Sequence, residues 1–405
     1  MEIVALVLGG ILLVGVAAYV NRDTPARQER ARWALAAKNL GLTGDPGKLA
    51  GRLEGVDLEV RIVDGDTARP SIEAVATPDQ ETRVSLRQWR EGRSRDGAVR
   101  TGDKAFDKVW VVRGDAPMVR AALGPKVRET LLAFAAAREL EVTRGAVQMK
   151  VLGATTELAR IQEVARQTAS LAAALSVSEE QIVERLAANL AAEPSAKARK
   201  HCLSLLIAHH PDAPETKASI QQALSDPSAH VRVTAALEAG KEGIPALEEA
   251  LADPDAPFQL RDQAAFQLSK TAPVPRVEEL LRPYLVDGHP MRAAAVESMI
   301  ARGADPGLAP LMTMLRSNDP DEICVGARCV GAHGYKQAEV TLVQLVSHDD
   351  KKVQVGVVHA LGQVGTKRAL GVLKKRSTDP TAGARLKRAA KEAVRRIEAR
   401  ATVSG

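Results

Sequence analysis

An aspartate recurs at Asp226, Asp253, Asp287, Asp319, Asp349 and Asp379, at intervals of 27, 34, 32, 30 and 30 residues. A repeat of this length is one supersecondary unit, and a unit so small cannot bury its own apolar face. Neighbouring units must stack, which confines the second half of the chain to an extended array with a continuous core. Pro227, Pro254, Pro320 and Pro380 directly follow four of these aspartates. Each pair joins a capping carboxylate to a residue whose φ is pre-set for a first helical turn. Each aspartate is therefore expected to mark the start of a first helix.

The segments that follow suit that reading. Val231 to Leu237 and Met291 to Val296 are rich in small and branched residues, and Gly240, Gly303, Gly334 and Gly365 stand where helices would stop. Second helices follow, with Leu247 and Leu251, Leu308, Leu311 and Leu315, Leu342 and Leu345, and Leu370 and Leu373 three or four residues apart. An earlier pair, Ala196 to Ala208 with Lys217 to Leu224, extends the array to about six units plus a final helix over residues 193–400. His230-Val231-Arg232, with partial matches at Leu260-Arg261 and Met291-Arg292, resembles HEAT repeats of the bacterial phycobilin-lyase-like type. Ile323-Cys324 and Val353-Gln354 lack the arginine. The resemblance implies an all-α solenoid that binds protein. Some members of that group attach chromophores and others handle damaged DNA, but those activities need dedicated residues that the spacing here does not supply.

Residues 25–192 have a different period. Pro25 to Leu40 reads as a helix carrying Trp33, Leu35 and Leu40 and ending at Gly41. Val56 to Val63, Ser71 to Ala76, Thr82 to Trp89 and Lys108 to Val112 read as strands, and Leu140 to Val142 with Ala146 to Val151 as a hairpin. Ala116 to Ala137 and Thr155 to Ala192 return to helix. That order predicts an α+β domain with an antiparallel sheet. All three tryptophans, Trp33, Trp89 and Trp110, fall in it and are expected in the core. The stretch Thr101-Gly102-Asp103-Lys104-Ala105-Phe106-Asp107, taken with the preceding helix, resembles an uncharacterised bacterial domain found beside HEAT-like repeats in membrane-anchored proteins. Gly-Asp and Phe-Asp pairs shape turns, so Asp103 and Asp107 are expected to build a turn before a strand rather than an acid–base pair.

Ile3 to Val20 is an uncharged apolar run of 18 residues, about 27 Å as a helix against a hydrocarbon core of ~30 Å. Arg22, Arg27, Arg30 and Arg32 follow it, and cationic flanks face the cytoplasm. The expected architecture is a transmembrane anchor over residues 3–20, the α+β domain over 25–192 and the HEAT-like α-solenoid over 193–400. The expected location is the inner membrane, single-pass, with the bulk of the chain in the cytoplasm.

Charge narrows the candidate site. Residues 351–405 hold 14 Lys or Arg against three Asp or Glu, so a net of +11 sits on one end of a chain whose total is +6. In the last helix Leu386, Ala389, Ala390, Ala393, Val394 and Ile397 make an apolar stripe, with Arg385, Arg388, Lys391, Arg395 and Arg396 off it. These five are the candidate partner-binding residues, facing another protein of acidic character. Nucleic acid is the alternative partner, disfavoured because stacking aromatics do not interleave with the cations. No catalytic, cofactor or metal site is expected. Cys202, Cys324 and Cys329 lack disulfide or zinc spacing, and His201, His209 and His210 crowd one helix end. The expected function is a membrane-anchored interaction scaffold, not an enzyme.

Overall fold

The computed structural model describes residues 27–63, 70–80, 83–91, 94–135, 139–143, 145–151 and 157–403. The chain divides into two compact units, one reaching Ser219 and one beginning at Ile220.

The first unit opens with α1 (residues 27–40), which buries Trp33, Ala36, Ala37 and Leu40 and leaves Arg27, Arg30 and Arg32 exposed. Strands β1 (Thr43–Asp45), β2 (Lys48–Leu53), β3 (Val56–Val63), β4 (Ser71–Pro78) and β5 (Ser85–Gln88) follow. Next come α2 (Lys104–Val109), β6 (Trp110–Arg113), α3 (Ala116–Ala122) and α4 (Pro125–Ala135). The unit continues with β7 (Glu139–Val142), β8 (Val147–Val151), α5 (Leu158–Leu175), α6 (Ile182–Ala192) and α7 (Ala196–His209). The strands make one antiparallel sheet in the order β1-β2-β3-β4-β8-β7-β5-β6. Period-two alternation sends Leu49, Val60, Ala74, Met149 and Leu140 to the buried face, where α5 packs on β3, β4 and β8. The opposite face carries a cross-strand row, Lys48↔Arg61↔Glu73↔Lys150↔Glu139. Arg61 and Gln148 donate to the Glu73 carboxylate.

Three local expectations need correction. Lys104–Val109 is helical, because Asp103 caps it by accepting from the amides of Ala105 and Phe106. The expected helix 116–137 breaks at Gly124-Pro125, since proline has no N–H to continue α3. The expected helix 155–192 breaks between Leu175 and Ile182, where Gln181 Oε1 accepts from the Ser178 amide. Trp33 and Trp110 are buried, but Trp89 is 38% exposed with the Arg95 guanidinium 4.6 Å over its ring.

The membrane architecture is also corrected. Among the described residues no helix is long and apolar enough to cross a membrane. The run at residues 3–20 lies outside the described residues. The fold class is corrected to what the described residues show, an eight-stranded antiparallel sheet unit followed by a helical unit with no membrane-spanning helix among those residues. The single-pass inner-membrane location is withdrawn with it.

After α8 (Pro214–Ala223), the second unit stacks helical pairs: α9 (Ala229–Glu238) with α10 (Ile244–Ala252), α11 (Phe258–Thr271) with α12 (Val274–Leu281), and α13 (Arg292–Arg302) with α14 (Leu308–Met314). Then come α15 (Pro320–His333) with α16 (Glu339–Leu345), α17 (Lys351–Val364) with α18 (Leu370–Thr378), and a closing α19 (Ala384–Val403). Each first helix packs on the next first helix, and each second helix on the first helix that follows it. One buried cluster of Ala, Val, Leu and Met runs from Val233 to Ile397, as nearest-neighbour stacking requires.

Of the six marking aspartates, only Asp319 caps its helix, accepting from the Asp321 amide with Pro320 at the first position. Asp226, Asp253 and Asp379 instead accept from the amide two residues on, in turns that precede the helices. Asp350 rather than Asp349 caps α17. The residue before a proline is driven to extended backbone, so an Asp-Pro pair shapes the turn ahead of the helix as readily as its first turn. Gly303 and Gly334 close α13 and α15 in left-handed conformation, with φ of 82° and 76°.

Candidate functional site

The cationic end of the chain is built on α19. Its apolar side, Leu386, Ala389, Ala390, Ala393 and Ile397, is buried against α17 and α18. A Cβ on Gly362 would stand only 3.2 Å from Ala393 Cα, so glycine at 362 permits the close helix approach. Arg400 closes the arrangement, donating to the carbonyls of Gly362 at 2.7 Å and Gly365 at 2.9 Å. These carbonyls lie in the last turn of α17, where intrahelical donors run out.

This packing turns the five candidate arginines and lysines outward. Arg385, Arg388, Lys391, Arg395 and Arg396 are all exposed. Arg396 is held by Glu392 at 2.6 Å one turn earlier. Among the described residues no carboxylate forms an ion pair with Arg385, Arg388, Lys391 or Arg395, so their charge faces solvent uncompensated.

Arg385 does more than decorate the surface. It lines a groove of about 550 Å³ between the starts of α17 and α19. Lys351, Lys352, His359 and Arg376 line it too, together with the apolar Val355, Ala382 and Leu386. Asp349 is the single carboxylate lining it. Arg376 is spoken for by Asp379, 3.0 Å away. The Thr381 hydroxyl and amide, with Arg376, hold the Asp379 carboxyl below the usual carboxylate range. Both α17 and α19 begin at the groove, so the positive ends of two helix dipoles add to the lysines and Arg385. Such a site attracts carboxylates or phosphates.

Of the residues predicted from sequence to bind, the groove gathers only Arg385. Lys351, Lys352 and His359 were missed, because they lie one repeat earlier and meet Arg385 only when α17 and α19 stack.

The other singled-out residues are occupied structurally. Asp107 accepts from the Thr101 amide and hydroxyl at 2.8 Å and the Gly102 amide at 3.1 Å. Asp103 caps α2 and also receives Arg128 Nε at 3.3 Å. Arg128 donates Nη2 to both Glu193 oxygens, at 2.7 and 2.9 Å, in a pair nearly shut off from solvent. No sequence signal marked this network, since its members lie far apart along the chain. Cys202 is buried in α7, and burial pushes its thiol up to about 11, against the opposing pull of Arg120. Burial likewise pushes Cys329 up to about 12. His201 is lowered, by burial first and then by Arg120 and Lys197. Among the described residues no group of three or more His, Cys, Asp or Glu side chains converges as a metal site.

A family model described as HEAT repeats matches residues 308–395, from α14 into α19. No curated protein sequence matches the chain. Among solved structures, the Escherichia coli protein YibA is 16% identical, covering 54% of this chain and 86% of its own, with a TM-score of 0.39. Human deoxyhypusine hydroxylase is 17% identical over 54% of this chain and 97% of its own, with a TM-score of 0.26. The CpcE–CpcF complex of phycocyanin lyase from Nostoc is 18% identical over 53% of this chain and 94% of its own, with a TM-score of 0.31. Residues 308–395 thus carry a HEAT-like repeat pattern.

Proposed function

We propose that this protein is an interaction scaffold whose helical repeats hold an acidic protein at their cationic C-terminal end. The carrying observation is that Arg385, Arg388, Lys391 and Arg395 are exposed and have no ion-pair partner among the described residues, and that Arg385 also lines a groove with Lys351 and Lys352 against the single carboxylate of Asp349. A stack of repeats offers an extended surface, and helical repeats of this kind generally mediate protein contacts. A nucleic acid would share the charge but would want aromatic faces among the cations. The described groove lining has no Phe, Tyr or Trp.

We read the chain as non-catalytic, although two of the similar structures are a hydroxylase and a lyase. Cys202 and Cys329 are pushed away from the thiolate that a nucleophile needs. Asp107 gives both oxygens to backbone amides, and Asp103 gives one to amides and the other to Arg128.

The test is charge reversal of Arg388, Lys391 and Arg395 to Glu in the full chain, followed by capture from lysate at low and physiological salt. Wild type retains an acidic protein whose capture weakens with salt. The triple variant loses about tenfold or more of that capture, with a melting temperature within about 2 °C of wild type. Capture indifferent to both salt and the triple change defeats the proposal.

A further inference from the structure

The chain has four phenylalanines, and the two in the sheet unit, Phe106 and Phe134, are buried. The two in the repeat unit, Phe258 and Phe266, are 46% and 48% exposed, and both belong to α11. Asp262 lies midway between them. Residues four apart are neighbours on a helix surface, about 5 to 6 Å apart at Cβ, so Phe258, Asp262 and Phe266 follow one another along one face. A single exposed phenyl needs no explanation, but two that bracket a charge do. Asp262 is half-buried, and among the described residues it makes no hydrogen bond and no ion pair. Burial raises its carboxyl above the ordinary 3.8, with no cation or donor drawing it back. Other sheltered carboxylates of this unit are matched: Glu248 by Arg276, Glu322 by Arg292, and Glu339 by the amide and hydroxyl of Thr366. The cations of α11 are engaged elsewhere. Arg261 donates to the Leu251 carbonyl and lies over Tyr284, while the Lys270 ammonium stands 4.0 Å over the Phe266 ring.

We infer that Phe258, Asp262 and Phe266 form a seat for an arginine side chain presented by a partner polypeptide. Charge complementarity names the occupant: a half-buried carboxylate without a counter-charge regains one when a cation docks on it. The flanking rings choose among cations. A guanidinium is planar, pairs with a carboxylate through two parallel hydrogen bonds and stacks on aromatic faces. The lysine ammonium reaches the carboxylate as a compact, strongly hydrated charge and gains less from the rings. The contact of Lys270 with Phe266 shows that a phenyl of this face already holds a cation. This seat is opposite in sign to the cationic end on α19, so the inference goes beyond the acidic-partner reading and does not depend on it.

The experiment titrates the full chain with three ten-residue peptides of Gly and Ser that differ only in a central Arg, Lys or Glu, read by saturation-transfer NMR of the peptide protons at low salt. The Arg peptide is expected to bind about tenfold more tightly than the Lys peptide, and the Glu peptide not at all. Asp262→Asn weakens the Arg peptide by about tenfold or more, while the melting temperature stays level or rises because an uncompensated charge is gone. Phe258→Ala with Phe266→Ala brings the Arg peptide down to the level of the Lys peptide, with melting within about 2 °C of wild type because both rings are exposed. Capture of an acidic protein through Arg388, Lys391 and Arg395 is untouched by Asp262→Asn, which separates the failure of one reading from that of the other. No saturation transfer to the Arg peptide, equal binding of the Arg and Lys peptides, or Arg binding that survives Asp262→Asn overturns the inference. Self-association of the full chain in sedimentation that Asp262→Asn abolishes would make a second copy the occupant, and the assignment to a separate partner falls.

Discussion

Arg128 in the sheet unit and Arg292 in the repeat unit are equally hidden, each with 3% of its side chain exposed. Each gives its guanidinium to two carboxylates, but the partners differ in kind. Arg128 reaches Asp103, 25 residues back, and Glu193, 65 residues on. Arg292 reaches Asp287, five residues back, and Glu322 in the next repeat, 30 residues on. The sheet unit is closed by contacts between distant segments, so removing one partner is felt at several elements far apart along the chain. The repeat unit is closed by neighbours, so a defect should stay near where it is made.

The largest effect should come from Glu193→Ala. It leaves Arg128 buried without its bidentate acceptor, and breaking a buried pair from one side costs about 3 to 5 kcal/mol. Urea denaturation followed by the fluorescence of buried Trp33 and Trp110 reads the sheet unit, and a loss under about 1 kcal/mol would erase the contrast with the repeats.

A smaller and more local effect is expected from Leu342→Ala, which empties a fully buried position in α16. The cost is about 2 to 4 kcal/mol. Hydrogen exchange should show protection falling in α15 to α19 while the sheet-unit amides keep theirs. Equal acceleration in both units would show that the repeats are not an independent stack.

The smallest effect concerns pH. The hydrogen bond from Arg292 holds the Glu322 carboxyl below its ordinary 4.5. A depressed carboxylate stabilises the fold above its unfolded pKa, and that contribution fades as pH falls through the lowered folded value. Glu322→Gln should therefore melt about 2 to 4 °C below wild type at neutral pH, roughly 1 kcal/mol, and approach it as the solution is acidified below pH 4.5. Parallel melting curves at every pH would mean that the pair contributes nothing to the repeat interface.

Legibility in the sequence follows the same division. Helix spacing in the repeats is local, so the glycine stops at Gly303 and Gly334 and the leucine pairs of the second helices can be read directly. β1 and β2 were missed because the hairpin around Pro46-Gly47 is short and carries few apolar residues. The sequence reads Lys104–Asp107 as a turn and Lys108-Val109 as strand, whereas the structure makes one helix of them because Asp103 caps it ahead of the β-prone run. Arg128 with Glu193 could not be read at all, since nothing local announces a pair 65 residues apart. The candidate site was half legible: the charge of α19 is visible in composition, while the groove is not.

By itself the chain determined the roughly 30-residue helical period, the location of its positive charge and the apolar stripe of α19, because each depends on residues within a few turns of one another. Only the tertiary structure decided that Lys351, Lys352 and Arg385 line one groove. The reason is geometric. A groove is a relation between two helices, and the distance between α17 and α19 is set by the packing of Gly362 on Ala393, which no single segment encodes.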